Sequence, residues 1–304
     1  MFFVFEFYRI KGKEEVLILY HFRRKTMFNI ANLLTSMNLI CGMLSILFCF
    51  SGRLDFAVYA IFSGAIFDFA DGFVARKLNL MSDLGKQLDS LSDLITFGVA
   101  PGCLLFFMII LGVDASALID ASSRNQAFYD YYVLQEFFTW VNAIFYDIPN
   151  KFDASIKFLP FVAFAIPFFA LFRLAKFNID EQQAKNFLGF PTPLTAIIFS
   201  FFPLYFSIHM EKWSNVPVAI QRSFDCYSLT FIVLLFASLM LIPIPLMSLK
   251  IQKTKSRENK LKLYFILISA ISIPFFKVLS IPFILTLYLI ISMYHAFKIK
   301  KDEI

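Results

Sequence analysis

Charge is scarce in this sequence. Only 16% of its 304 residues are Asp, Glu, Lys or Arg, and 59% are hydrophobic. A soluble domain carries about 25% charged and about 45–50% apolar residues, so a large soluble core is excluded in favour of a membrane protein with several spans. Histidine is scarcer still. His21, His209 and His295 stand far apart with no nucleophile partner, which removes the usual His-centred catalysis. The four cysteines, Cys41, Cys49, Cys103 and Cys226, lack metal-site spacing, and three lie in apolar runs. They read as buried, reduced thiols. No internal repeat stands out. The opening "MFFVFEFYRIKGKEEVLILYHFRRKT" lacks the order of charged, apolar and cleavage regions that marks a signal peptide. It reads as a short cytosolic or interfacial extension over 1–28, with Met27 as an alternative start.

What is abundant is apolar chain in blocks. A helix rises about 1.5 Å per residue, so about 20 apolar residues cross about 30 Å of hydrocarbon. Eight segments of that kind are expected, at 29–50, 54–73, 87–112, 158–176, 191–209, 227–249, 263–277 and 279–297. The last two are short and share the turn "SIPFFKVLSIPF", which allows a re-entrant pair.

The net charge of +6 is unevenly placed. With 1–28, 74–86, 177–190, 250–262 and 298–304 on one side, and Arg173 and Lys176 counted with them, that side holds 21 of the 28 Lys and Arg residues. The positive-inside rule then puts both termini on the cytoplasmic face. The basic excess points to anionic membrane lipids as its partner, and not to nucleic acid. Residues 113–157, aromatic and mildly acidic, are expected outside as loops with a helix lying at the interface.

Against this background, "DFADGFVARKLNLMSDLGKQLDSLSD" (68–93) is anomalous, because it sets carboxylates at the ends of lipid-length segments. Asp68 and Asp71 are three apart and share one helix face; Asp89 and Asp93 are four apart and share another. A short cytoplasmic turn joins the two helices, so the four carboxylates are expected to converge. Unpaired in hydrocarbon, each would cost about 2.5–3.5 kcal/mol on insertion scales. Such a cluster needs cations, and hard carboxylate oxygens suit Mg²⁺ or Mn²⁺. Two such ions can bridge a diphosphate and stabilise both attacking and leaving oxygens.

The neighbours agree with that chemistry. Gly72 lets a ligand approach the helix beside Asp71. Arg76, one turn on, can fork two hydrogen bonds to phosphate. Ser82 offers another donor, and Gly85 keeps the approach between helices open. Asp83 falls outside the pattern, as a solvated loop acid or a cap.

The full spacing, D-x2-D-G-x2-A-R-x8-G-x3-D-x3-D, resembles the signature of the CDP-alcohol phosphotransferase family without departure at Asp68, Asp71, Gly72, Ala75, Arg76, Gly85, Asp89 and Asp93. The resemblance implies an all-α polytopic membrane bundle with a six-helix core and a cytoplasm-facing site, in the bacterial inner membrane and as a homodimer. The resemblance covers about 30–250, a core at 29–250; the helical hairpin and basic tail expected at 251–304 lie outside it. It implies displacement of CMP from a CDP-linked lipid by an alcohol. Residue by residue, Asp68, Asp71 and Asp89 look like ligands of two divalent cations, Mg²⁺ or Mn²⁺. Asp93 looks like a ligand and the general base. Gly72, Arg76 and Ser82 look like contacts to CDP-diacylglycerol.

Two further stretches narrow the resemblance to the phosphatidylserine-synthase branch. "ANLLTSMNLICGMLS" is similar to its N-x2-T-x2-N-L-x2-G opening, which implies Asn32 and Thr35 near the nucleotide. "FRLAKFN" and "FLGFPTPLTA" are similar to its R-L-A-R-F-N and G-L-P-T-P stretches, with Lys176 in place of Arg and Phe190 in place of Leu. Arg173 and Lys176 share a face on the side of the acids and could hold the carboxylate of L-serine or a lipid phosphate. Asn178 could hydrogen-bond the amino acid. Pro191 and Pro193 are expected to shape the start of the next helix.

The expected reaction is transfer of a phosphatidyl group from CDP-diacylglycerol to L-serine, with Asp93 taking the hydroxyl proton. A sibling enzyme using glycerol 3-phosphate, inositol phosphate or another alcohol is the near alternative. It would need several extra basic residues, for which only Arg173, Lys176 and Lys185 are candidates. A cation transporter with intramembrane acids is the distant one. It has no need of Gly72, Arg76 and Gly85 at these offsets.

Overall fold

A computed structural model describes residues 29–113, 126–146, 152, 156–179, 189–209, 216–242 and 256–302. The expected extension over 1–28, Lys185 and residues 250–255 of the basic linker lie outside these residues. All regular structure among them is helical.

Helix α1, Ile30–Phe50, starts where the Asn29 side chain accepts the Asn32 N–H at 2.8 Å. A tight turn follows, with Gly52 at φ 79°, a left-handed conformation that favours glycine. Helix α2, Leu54–Lys77, runs back along α1. Helix α3, Asp83–Leu94, is capped by Ser82, whose Oγ accepts the Gly85 N–H at 3.0 Å. Asp83 is therefore a first-turn acid, favourable at the positive end of the helix dipole. A π-helical turn at Ile95–Val99 carries α3 directly into α4, Ala100–Leu111.

Helix α5 covers Gln126–Phe145, and a 3-10 turn at Leu159–Phe164 leads into α6, Ala165–Ile179. Then come α7 (Thr192–His209), the short α8 (Val218–Arg222), α9 (Cys226–Leu239), α10 (Ser256–Phe276) and α11 (Ser280–Asp302). As expected, the Pro-Thr-Pro stretch opens α7.

Six stretches are long and apolar enough to cross a bilayer: Ile30–Phe50, Leu54–Lys77, Asp83–Leu111, Leu159–Ile179, Thr192–His209 and Lys262–Ser292. The chain is an integral membrane protein of all-α class. The expectation of eight segments differs from this at one place. The 227–249 run yields a helix of 14 residues among the described ones, short of the roughly 20 that span a bilayer, and its residues 243–249 lie outside them. The last two expected segments are α10 and α11, which fold back on each other at Lys277–Leu279 as the re-entrant pair the shared turn allows. The Phe265 and Tyr288 rings, on opposite arms, lie 5.8 Å apart.

The α3–α4 rod is the centre of the bundle, and nearly every residue of α4 is buried. Lipid tails are as apolar as leucine, so packing and small residues hold such helices together. Gly98 and Gly102 supply a small-residue face against α6: an added Cβ would stand 3.2 Å from Ala170 Cβ and 3.0 Å from Pro167 Cδ. The expected helix in the 113–157 segment is α5. It packs on the far end of the rod, with Phe137 5.0 Å from Phe107 and Trp140 5.0 Å from Phe106. The four cysteines are free thiols; Cys41, Cys49 and Cys226 are buried and Cys103 partly so.

Candidate active site

The acids come from two helices joined by the short turn at Leu78–Ser82. Asp68 and Asp71 sit on the last turns of α2. Asp89 and Asp93 sit on the second and third turns of α3. Asp68, Asp71 and Asp89 each offer a carboxylate oxygen within 4.8 Å of the others. Asp71 is buried, and Asp68 and Asp89 are half-buried. Asp93 stands outside this trio, one turn further into the bundle. There its Oδ1 accepts a hydrogen bond from Asn38 Nδ2 at 3.1 Å.

A polar edge of α1 supports the acids. Asn32, Thr35 and Asn38, three residues apart, are all buried. The Thr35 hydroxyl donates to Asp71 Oδ2 at 2.6 Å. The Thr35 carbonyl accepts Ser92 Oγ at 3.0 Å, and the Asn38 carbonyl accepts Thr96 Oγ1 at 2.9 Å. Thr35, expected near the nucleotide, is thus engaged with an acid of the trio. Asn32 lies beside the start of α3: a Cβ on Gly85 would come within 3.3 Å of Asn32 Oδ1.

The trio can hold a metal. Three hard oxygen donors converge, and Asp89 Oδ1 is shielded from solvent with no hydrogen-bond partner among the described residues. A cation would satisfy it and would offset the cost of grouped carboxylates. Arg76 folds back over Gly72, with its Nη1 3.3 Å from where a glycine Cβ would be. Arg76 is solvent-exposed and Ser82 half-exposed, both at the mouth of the site.

The opposite wall is α6. Arg173 donates from Nη1 to Thr192 Oγ1 at 3.0 Å, which ties α6 to the start of α7. Its Nε is shielded and without a partner among the described residues, and its charge is close enough to Asp93 to interact. Asn178 donates from Nδ2 to Ser90 Oγ at 2.8 Å, and its carbonyl oxygen accepts Lys86 Nζ at 2.7 Å. The side-chain Oδ1 of Asn178 is shielded and unpartnered among the described residues. Lys176 differs from both in being exposed.

Sequence reasoning missed Asn38, Lys86, Ser90, Ser92, Thr96 and Thr192. A signal existed for some of them. Asn38 is an amide three residues beyond Thr35 in an apolar run, and Ser92 and Thr96 recur at four-residue spacing beside the acids.

An acidic trio on consecutive membrane helices, with Arg76 at its mouth and a fourth acid behind it, defines a class of membrane enzyme acting on phosphates. The sequence profile of CDP-alcohol phosphatidyltransferases matches residues 28–124. The chain is 31% identical over 185 residues to a CDP-diacylglycerol–serine O-phosphatidyltransferase of Bacillus subtilis, covering 58% of this chain and 78% of that one. It is 31% identical over 175 residues to an archaetidylserine synthase of Methanothermobacter thermautotrophicus, 57% of each chain. A CDP-diacylglycerol–serine O-phosphatidyltransferase of Saccharomyces cerevisiae is 38% identical over 94 residues, 29% of this chain and 34% of that one. The chain belongs to the CDP-alcohol phosphatidyltransferase family.

Proposed function

We propose that this protein transfers the phosphatidyl group of CDP-diacylglycerol to L-serine, giving phosphatidylserine and CMP. The convergence of Asp68, Asp71 and Asp89 beside Asp93 carries the reading, because it puts a cation-holding group next to a carboxylate with only its Oδ1 hydrogen-bonded among the described residues. The names of the Bacillus and yeast relatives support serine as acceptor.

The serine hydroxyl oxygen attacks the phosphatidyl phosphorus, the bond from that phosphorus to the CMP oxygen breaks, and CMP leaves. Asp93 takes the hydroxyl proton on Oδ2, the oxygen that Asn38 does not occupy. Asp68, Asp71 and Asp89, with Asp93 at their edge, would hold two divalent cations, Mg²⁺ or Mn²⁺. When bound, these supply positive charge against the diphosphate and the departing CMP. Arg76 and Ser82 hold the diphosphate from the mouth, Gly72 leaves room for it, and Asn32 and Thr35 border the nucleotide. Positioning and charge dominate such transfers.

On the acceptor side, Arg173 Nε offers a donor to the serine carboxylate, and Asn178 Oδ1 offers an acceptor to the ammonium group. Both are shielded and unmatched among the described residues, and a zwitterion matches both. Lys176, being exposed, is left to the lipid phosphate or the membrane surface. The charge distribution supports a cytoplasmic site in a bacterial inner membrane. The family resemblance supports a homodimer.

The test is an acceptor screen on purified protein with radiolabelled CDP-diacylglycerol in detergent. Serine should yield labelled phosphatidylserine with equimolar CMP. Preference for glycerol 3-phosphate or inositol phosphate would replace the acceptor assignment. No metal-dependent CMP release with any alcohol would remove the enzymatic reading in favour of transport.

A further inference from the structure

Asp93 has a hydrogen-bond partner of its own beside the acidic trio. Its Oδ1 is engaged by Asn38, which is fully buried on α1. Asn38 is itself fixed at a second point, because its backbone carbonyl accepts the Thr96 hydroxyl at 2.9 Å. Thr96 reaches that carbonyl from the π-helical turn at Ile95–Val99, which begins two residues after Asp93. The turn is closed by the bond from the Ala100 N–H to the Ile95 carbonyl. A π turn inserts a residue into the helical repeat and so rotates the side chains that follow it.

Thr96 is fully buried where α1 and α2 approach the central rod. Both helices present glycine to it. A Cβ on Gly42 would stand 2.6 Å from Thr96 Oγ1, and a Cβ on Gly64 would stand 2.6 Å from Thr96 Cγ2. The Gly64 position also abuts the Asn38 side chain, at 3.0 Å from Oδ1. Two glycines therefore form a slot for Thr96, Thr96 holds the α1 backbone at Asn38, and the Asn38 amide holds one oxygen of Asp93.

We propose that Asn38, seated by Thr96, is a positioning residue for the transfer reaction: it ties down Asp93 Oδ1 and turns Oδ2 toward the acceptor hydroxyl. A carboxylate free to rotate would divide its time between orientations, and a general base works only within hydrogen-bond reach of its proton. The amide N–H suits the task because it donates to one oxygen and leaves the other uncovered. This inference rests on the reading of Asp93 as the base.

The experiment compares Asn38→Leu, Thr96→Val, Asp93→Asn and the double variant Asn38→Leu/Asp93→Asn in the same detergent assay. Asn38→Leu keeps the volume and removes the donor. It should lower kcat by about 10–100-fold, the scale of one hydrogen bond to a charged group. The KM for CDP-diacylglycerol and the thermal protection given by that lipid should stay as in the wild type. In the Asp93→Asn background the same change should cost less than about 3-fold, since residues acting through one group are not additive. Thr96→Val keeps the shape and removes only the hydroxyl that seats Asn38, so it should reproduce a smaller kcat loss. It also serves if Asn38→Leu does not fold, whereas Thr96→Ser should restore the rate.

Unchanged kcat in Asn38→Leu, or in Thr96→Val where that variant stands in, would overturn the proposal, as would equal losses in both Asp93 backgrounds. A rise in the lipid KM with kcat intact would overturn it too, by moving Asn38 to substrate binding. Full activity in Asp93→Asn alone would instead remove the base assignment on which the proposal stands.

Discussion

The Thr35 hydroxyl donates to Asp71 Oδ2 over 2.6 Å and spans 36 residues of sequence. It joins the apolar opening helix to the acidic trio. Thr35 is buried, and its own carbonyl is taken by Ser92 from α3, so one residue of α1 touches both acid-bearing helices. Thr35→Val should therefore act on the cation site. The divalent-ion concentration for half-maximal rate should rise, while Thr35→Ser should remain near the wild type. A titration of activity against Mn²⁺ measures this, and an unchanged midpoint in Thr35→Val would separate Thr35 from the metal ligands.

Asp93→Asn should slow turnover by about 10²–10⁴-fold, the usual cost of losing a general base. The shape is kept and the trio of Asp68, Asp71 and Asp89 is untouched, so CDP-lipid binding should persist. Binding can be followed as lipid-dependent protection against thermal unfolding. Retention of more than half the wild-type rate would exclude Asp93 as the base.

Arg76→Lys keeps the charge but loses the forked donor geometry. The defect should appear mainly as a higher KM for CDP-diacylglycerol. Wild-type kinetics would make Arg76 a membrane anchor and nothing more.

Arg173→Ala should raise the serine KM by about 10–150-fold, the range for losing a charge-assisted hydrogen bond. Lys176→Ala should have the smaller effect, because Lys176 is exposed whereas Arg173 is half-buried and tied to Thr192. A two-substrate kinetic matrix on both variants decides the matter. A larger serine KM in Lys176→Ala would reverse the assignment.

Glycine-to-alanine changes should divide into two kinds. A Cβ on Gly42 would lie 2.9 Å from Thr96 Cα, a backbone atom that cannot step aside. Gly42→Ala should cost about 1–3 kcal/mol by overpacking. A Cβ on Gly72 would meet only the flexible end of Arg76, at 3.3 Å. Gly72→Ala should leave thermal stability close to the wild type and weaken use of CDP-lipid. Thermal midpoints in detergent for the two variants give the comparison, and equal midpoints would contradict it.

Much of the site is legible along the chain because its elements are local. Asp68 and Asp71 are three residues apart, Asp89 and Asp93 four, and the joining turn is short, so helical periodicity alone carries three of the four acids to one place. The lengths of the apolar runs likewise located the membrane helices, since crossing a bilayer requires about 20 residues. The same argument overreached at 227–249, where apolar composition continues past Leu239, the last residue of α9.

Other features depended on which faces of the helices meet. Thr35 with Asp71, Asn38 with Asp93 and Arg173 with Thr192 pair residues on different helices. In a membrane bundle the lipid-facing and protein-facing sides are both apolar, so periodicity does not reveal the inward side. The separation of Asp93 from the trio has the same origin: spacing fixes its angle on α3, but Asn38 on α1 receives its carboxylate. The π turn at Ile95–Val99 was equally hidden, and Thr96 within it fits between Gly42 and Gly64 of two other helices. Sequence set the acids, their spacing and the spans; tertiary packing decided which oxygens are bound, which are free, and which polar groups wait for substrate, because those depend on contacts between helices that no local pattern encodes.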